Sequence, residues 1–347
     1  MKIFSSEAHR RHDPPFEVFD GGRRVPYLET PARMECILSA LRKTNWADIQ
    51  EPADFGLDPI LAVHDSDYLN FLASAWEEWQ ASVSESDSAS DKSALLPATF
   101  ALRRQPHKPK SLLGRAGYHM MDLSAAIVDG TYEASLSSAN CALSGTRAIL
   151  EGERAAFALC RPPGHHAGKD YAAGYCFINN AAVAANWLSS KAKVAVLDID
   201  YHAGNGTQDI FYDRSDVLTI SIHADPAYEY PYYTGYEDET GTGKGKGIHH
   251  NFPLPAGTDD AQYLSTLEMA ISTVEKFQPK YLVVSAGMDI YDGDPLGTFK
   301  ITRPGIREIG NKIAGLRLPT LFVMEGGYNH ETLGDNVCTL LEPSAKN

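Results

Sequence analysis

The chain has 347 residues, of which 43% are apolar, and a formal net charge of −14. That length and apolar content suit one large α/β domain over 1–347, because no linker-like shift in composition separates the core elements and no internal repeat occurs. The acidic balance argues against nucleic acid, whose phosphates it would repel, and is compatible with either a cationic substrate or simple solubility.

The first ten residues lack the apolar stretch of a signal peptide, and no run approaches the roughly 20 apolar residues of a membrane span. The five cysteines are scattered without a CxxC pair, and Cys160 and Cys176 sit in apolar surroundings, as buried free thiols do. A cytoplasmic protein without a membrane partner is expected.

In chain order, Asp67–Trp79 reads as an amphipathic helix. A long loop follows at about 82–111, opening Ser-Val-Ser-Glu-Ser-Asp and continuing with prolines and a basic cluster at Arg103, Arg104, His107, Lys108 and Lys110. Its first half reads as solvated surface. Its second half, Leu95–Ser111, is apolar enough to pack on the active-site rim or a second subunit. Helices are expected over Tyr118–Val128, Asn140–Glu151 and Phe177–Ser189. Five continuous apolar runs read as strands: 155–160, 194–197, 217–222, 281–289 with Asp289 at its end, and 320–324. Such runs, separated by helical patterns, form a parallel sheet covered on both faces. Ligands bind outside the carboxyl ends of such strands, and polar residues with useful chemistry collect there in this chain.

The strand that begins at Val194 runs into Asp198, Asp200 and His202. Residues two apart on an extended chain point to the same side, so the three converge. Two carboxylates alone would repel, and a divalent ion removes that cost; the alternative is a strand-end salt-bridge cluster. Asp289 ends another apolar run. Asp200, His202 and Asp289 give three protein ligands with a position left open, the pattern of a catalytic zinc.

His165 and His166 follow Arg161-Pro-Pro-Gly, a rigid turn at the end of another strand. Asp198 and Asn205 are the best candidates to orient them, and a histidine facing the anion would be the more basic. Tyr328, after Glu325-Gly-Gly, can donate a hydrogen bond to a developing oxyanion or simply pack on the surface.

Arg161-Pro-Pro-Gly-His-His-Ala-Gly, Gly174-Tyr-Cys-Phe-Ile-Asn-Asn180, Asp198-Ile-Asp-Tyr-His202, Gly204-Asn-Gly-Thr-Gln208, Gly287-Met-Asp289 and Glu325-Gly-Gly-Tyr328 resemble, in order, the motif series of the zinc-dependent histone deacetylase superfamily. Within it the chain most resembles the bacterial acetylpolyamine amidohydrolases. The resemblance implies an arginase/deacetylase α/β fold with a central parallel sheet of about eight strands flanked by helices. It implies one catalytic Zn2+ at Asp200, His202 and Asp289, with His166 as general base and acid, His165 as its electrostatic partner and Tyr328 polarising the amide carbonyl. Gly174, Tyr175 and Tyr230 would line the acyl tunnel. A structural K+ would use Asp198, Asp200, His202, Ser221 and Ile222, and Phe211, Arg214 and Val217 fit the spacing of a second cation site. A homodimer and an acetylated small-molecule amine as substrate are also implied.

Three positions depart from the family pattern. Ala203 stands where a second histidine is usual. Asn205 replaces a common aspartate and should leave His166 less basic. Leu113 falls where polyamine-specific members carry a glutamate, for which Glu85, Asp87 and Asp91 are the candidate substitutes. The leading reading is therefore removal of acetyl groups from acetylated polyamines or diamines, with deacetylation of acyl-lysine in peptides or small molecules as the alternative. A non-catalytic acyl-ligand-binding relative is disfavoured by the intact triad, His pair and Tyr328. A two-manganese arginase-type hydrolase would need further bridging ligands.

Overall fold

The structure is a computed structural model and describes residues 1–19, 22–82, 92–101 and 107–346. Glu85, Asp87 and Asp91, with Arg103 and Arg104, lie outside the described residues, as does much of the segment at 82–111. The strands in chain order are β1 (Lys2–Phe4), β2 (Glu17–Phe19), β3 (Arg23–Val25), β4 (Asp48–Gln50), β5 (Ala155–Ala158), β6 (Val194–Asp198), β7 (Val217–Ala224), β8 (His249–Leu254), β9 (Tyr281–Ala286) and β10 (Thr320–Met324). The helices are α1 (Ala32–Leu41), α2 (Asp58–Leu61), α3 (Ser66–Ser82), α4 (Leu112–His119), α5 (Thr131–Leu150), α6 (Asn180–Ser189), α7 (Asn205–Phe211), α8 (Asp260–Phe277), α9 (Arg303–Gly315) and α10 (Leu333–Ala345).

Eight strands form one parallel sheet in the order β4-β1-β5-β10-β9-β6-β7-β8, and β2 and β3 form a small antiparallel ribbon. Successive side chains of a strand face opposite sides. Val194 and Val196 accordingly enter the core layer beneath α3, α5 and α6, whereas Ala195 and Leu197 enter the layer beneath α1, α8, α9 and α10. Both layers are apolar, which explains the unbroken runs in β6, β9 and β10. The sheet is parallel and covered on both faces, as the apolar runs predict, and has the eight strands that the family resemblance implies.

The register brings the useful residues level with one another. Asp198 pairs with Ser221 of β7 on one side and Ser285 of β9 on the other. β5 and β6 follow one another in sequence, yet β10 and β9 lie between them. The crevice at the carboxyl ends of these four strands is where such a sheet places ligands.

Helix limits differ from expectation at three places. Phe177 precedes α6, which starts where the Asn179 side chain accepts from the Ala182 N–H. The helix expected over Asn140–Glu151 begins earlier, at Thr131, after Gly130 in a left-handed conformation. The helix expected over Tyr118–Val128 is absent: α4 ends at His119. Asp122 Oδ1 accepts from Ser124 N–H and Ala125 N–H, a local side-chain bond that replaces the helical ladder. Ile127 instead pairs with Leu95 in a short bridge. Leu95 is fully buried there, so this part of the long segment packs on its own chain, while Phe100 is half exposed. No helix among the described residues is long and apolar enough to cross a membrane. All five cysteines are free, and Cys160 and Cys176 are buried.

Candidate active site

Asp200 and His202 follow β6 directly, and Asp289 follows β9 through Gly287-Met288. Each offers one ligand atom, and these atoms all lie within 4.8 Å of one another. His202 Nδ1 is 3.3 Å from Asp200 Oδ1 and 3.1 Å from Asp289 Oδ2. The outer carboxylate oxygens are held by backbone donors: Gly326 N–H reaches Asp200 Oδ2 at 2.8 Å and Tyr201 N–H reaches Asp289 Oδ1 at 3.0 Å. A Cβ at Gly326 would press on both carboxylates, so this close approach of backbone requires glycine.

Both carboxylates are fully buried. Burial, and then the charge of Asp200, push Asp289 up to about 7. Burial alone would lower His202, but its hydrogen bonds to Asp200 and Asp289 raise it to about 10. Two oxygen donors and one nitrogen donor, with two formal negative charges in a dry site, fit a divalent cation of the zinc type.

The His pair stands beside this cluster, with ring centroids 4.0 Å apart. His165 Nδ1–H donates to Asp198 Oδ2 at 2.9 Å, and His166 Nδ1–H donates to Asn205 Oδ1 at 2.6 Å. Burial opposes charge on both rings. At His165 the neighbouring Asp200 and Asp198 overcome it and the ring is held well above the ordinary histidine range. At His166 burial, then the charges of His165 and His202, push the ring well below it. Glu325 fixes the turn, accepting from Gly164 N–H at 2.7 Å and His165 N–H at 3.1 Å.

These groups open into a cavity of about 340 Å³. Tyr328 lines it, with its backbone N–H donating to Asp294 Oδ2 at 2.6 Å. Burial holds its phenol well above the ordinary range, against the pull of Arg33, so it stays a donor. Tyr175 packs 5.8 Å from the Tyr328 ring, and Tyr230 meets the His166 ring edge-on at 4.9 Å. Gly174 has φ +52°, and a Cβ there would run into the His166 imidazole. A larger groove of about 880 Å³ lies at the opposite end of the sheet, by Ala155 and Thr320, and holds none of the predicted residues.

Ser221 sits beside Asp198 in the ladder, and Ile222 is the next residue of β7. Phe211 O accepts from Arg214 N–H at 3.0 Å, with Val217 opening β7 beyond it. Ala203 is buried and offers no ligand atom. Leu113 is half exposed on α4 and lies outside the cavity lining.

Three anchoring residues had no role in the sequence reading. Asp122 Oδ2 accepts from Gly174 N–H at 2.8 Å and from the Tyr230 hydroxyl at 2.7 Å, and so ties both walls together. Glu17 Oε2 accepts from the Tyr175 hydroxyl at 2.6 Å. Arg33 donates through Nε to Gly327 O at 2.7 Å and braces the turn before Tyr328. Each lies far in sequence from the motif it supports, so spacing carried no signal for it.

The histone deacetylase domain family matches residues 27–343. The chain is 44% identical to acetylpolyamine amidohydrolase 2 of Pseudomonas aeruginosa, covering 99% of this chain and 98% of that one. It is 43% identical to the acetylpolyamine amidohydrolase of Mycoplana ramosa, over 99% of each. The crystal structure of acetylpolyamine aminohydrolase from Burkholderia pseudomallei superposes with a TM-score of 0.94 at 38% identity, covering 99% of this chain and 98% of that one. The chain belongs to the histone deacetylase family.

Proposed function

We propose that the protein is a zinc-dependent amidohydrolase that removes acetyl groups from acetylated polyamines or diamines. The observation that carries the reading is the meeting of three groups around one cavity: the Asp200–His202–Asp289 cluster, the His165–His166 pair and Tyr328. The full-length likeness to acetylpolyamine amidohydrolases supports the substrate class.

Bound by Asp200, His202 and Asp289, zinc supplies Lewis acidity toward the amide carbonyl and water. His166 commits Nδ1–H to Asn205, which leaves Nε2 as the acceptor facing the cavity. It takes the proton of the attacking water and returns it to the departing amine. His165, kept cationic by its aspartates, is the electrostatic partner. Tyr328 donates to the developing oxyanion. Gly174, Tyr175 and Tyr230 flank the chain of the acylated amine.

The reading extends to a structural potassium held by Asp198, Asp200, His202, Ser221 and Ile222, with a second cation near Phe211, Arg214 and Val217. It also includes a single domain over 1–347 with the long inserted loop at about 82–111, a homodimer and a cytoplasmic location. The second reading, deacetylation of acyl-lysine, is favoured by one observation: Leu113 offers no charge and stays outside the cavity.

The test is kcat/KM of the zinc-loaded protein on acetylputrescine, acetylspermidine and an acetyl-lysine peptide. Higher values for the polyamines support the first reading. Higher values for the peptide support the second, and hydrolysis of none overturns both.

A further inference from the structure

Beyond the metal cluster, two acidic residues border the cavity among the described residues, Asp122 and Glu229, and no described lysine or arginine lines it. Their situations differ. Asp122 Oδ2 holds Gly174 N–H and the Tyr230 hydroxyl, while Oδ1 accepts from Ser124 N–H at 3.0 Å, Ser124 Oγ–H at 3.0 Å and Ala125 N–H at 3.2 Å. A carboxylate offers about four lone-pair sites, so Asp122 is saturated. It has no acceptor capacity left for a ligand unless it releases a wall of the cavity.

Glu229 is half-buried on the segment between β7 and β8, immediately before Tyr230. Its backbone N–H is used by Asp225 O at 3.1 Å, which sets the turn. Its carboxylate has no ion-pair partner among the described residues. The hydroxyl of Tyr201 lies beside it, and that hydroxyl also engages Thr298 Oγ1 at 2.7 Å. Tyr230 packs at 4.9 Å on His166 and at 6.4 Å on the half-exposed Tyr232. Glu229 therefore stands on the stretch of wall that runs from the catalytic histidine to the mouth. An uncompensated carboxylate against aromatic rings favours an alkylammonium, through charge and through the ring faces.

We infer that Glu229 is the specificity-determining acid of this cavity. It receives the free ammonium of an acetylated diamine or polyamine while the methylene chain lies between the tyrosine walls. The inference rests on the acetylpolyamine reading and adds the residue that selects the cation. A metal is not its ligand, since one carboxylate and one phenol do not make a metal site.

The experiment compares acetylputrescine with N-pentylacetamide, a neutral amide of matched length, on the zinc-loaded wild type, Glu229→Gln and Glu229→Asp. The ratio of the two kcat/KM values reads the cation preference and is insensitive to loss of active enzyme. Glu229→Gln should lower that ratio about tenfold or more, mainly through KM for acetylputrescine, the scale of one charge-assisted hydrogen bond. Glu229→Asp should restore part of it. An unchanged ratio in Glu229→Gln, with the wild type still preferring the cation, overturns the assignment and leaves the acetylpolyamine reading intact. A wild type that hydrolyses both amides equally well overturns the substrate reading and this inference with it.

Discussion

His166 donates from Nδ1 to Asn205 Oδ1 at 2.6 Å. A neutral amide in that place orients the ring without adding negative charge, whereas the adjacent His165 faces the Asp198 carboxylate. Burial and the charges of His165 and His202 keep His166 free to accept a proton, while Asp200 and Asp198 overcome burial and keep His165 cationic, so the two touching imidazoles take opposite protonation. A pair in which both rings were charged would repel at a centroid distance of 4.0 Å.

Replacing His166 separates proton transfer from metal binding, because the ring lies outside the Asp200–His202–Asp289 cluster. His166→Ala should keep its zinc content and melting temperature but lose about 10²–10⁴-fold in kcat, the span expected for an acid–base group. Metal analysis and steady-state kinetics on one preparation check this. Turnover near that of the wild type would remove His166 from the chemistry.

Tyr328→Phe deletes one hydroxyl and keeps the ring packed against Tyr175 and Arg33. A donor that meets charge only in the transition state lowers kcat and leaves KM little changed. The expected loss in kcat is about 10²–10³-fold. A change confined to KM would show that Tyr328 binds substrate only.

Asp200 and Asp289 are buried and mutually repulsive without a cation, which is part of why Asp289 is pushed up to about 7. Chelation should therefore lower the melting temperature, and added zinc should restore it by mass action. Asp289→Asn removes the repulsion together with a ligand, so the chelator-induced drop should shrink in that variant. Calorimetry with and without chelator reads the difference, and an equal drop in both proteins would place the metal elsewhere.

The apolar runs made the parallel sheet legible, because β6, β9 and β10 are buried on both faces and tolerate few polar residues. Asp200, His202 and Asp289 stood out for the same reason, as charges at the ends of dry strands. β8 was less visible, since its His249, Asn251 and Pro253 break the apolar pattern. Asp122 was illegible as an anchor: a lone aspartate in an apparent helix has no periodic signature, and the same carboxylate is what prevents that helix. Glu17 sits in a three-residue strand, too short to show alternation.

Glu17 offers a stability test remote from the metal. Burial raises its carboxyl from the ordinary 4.5 to about 7, against the pull of its Tyr175 and Leu28 hydrogen bonds. The folded protein then holds this proton to higher pH than the unfolded chain does. Its stabilising contribution is full below about pH 4.5 and is lost as pH rises through about 7. Glu17→Gln has no such titration and can still accept from Leu28. The melting temperature of the variant relative to wild type should therefore rise between about pH 5 and about pH 8. A difference that is flat with pH would mean that Glu17 is ionised in the fold at both.

Asp122→Ala tests whether the walls of the cavity are held from behind. The substitution leaves Gly174 N–H without its acceptor and frees the Tyr230 hydroxyl. A buried donor left unpaired costs about 1–3 kcal/mol, so the segment at Gly174 should shift or loosen. The metal cluster and Tyr328 rest on β6, β9 and β10 and do not depend on Asp122. KM should then rise roughly tenfold for charged and neutral amides alike, with zinc content unchanged and a smaller effect on kcat. That pattern differs from the selective loss expected at Glu229. Asp122→Asn keeps one acceptor oxygen and should fall between wild type and alanine. A loss of kcat as large as that of His166→Ala, with KM unaltered, would mean that Asp122 acts on the reacting groups and not on the walls.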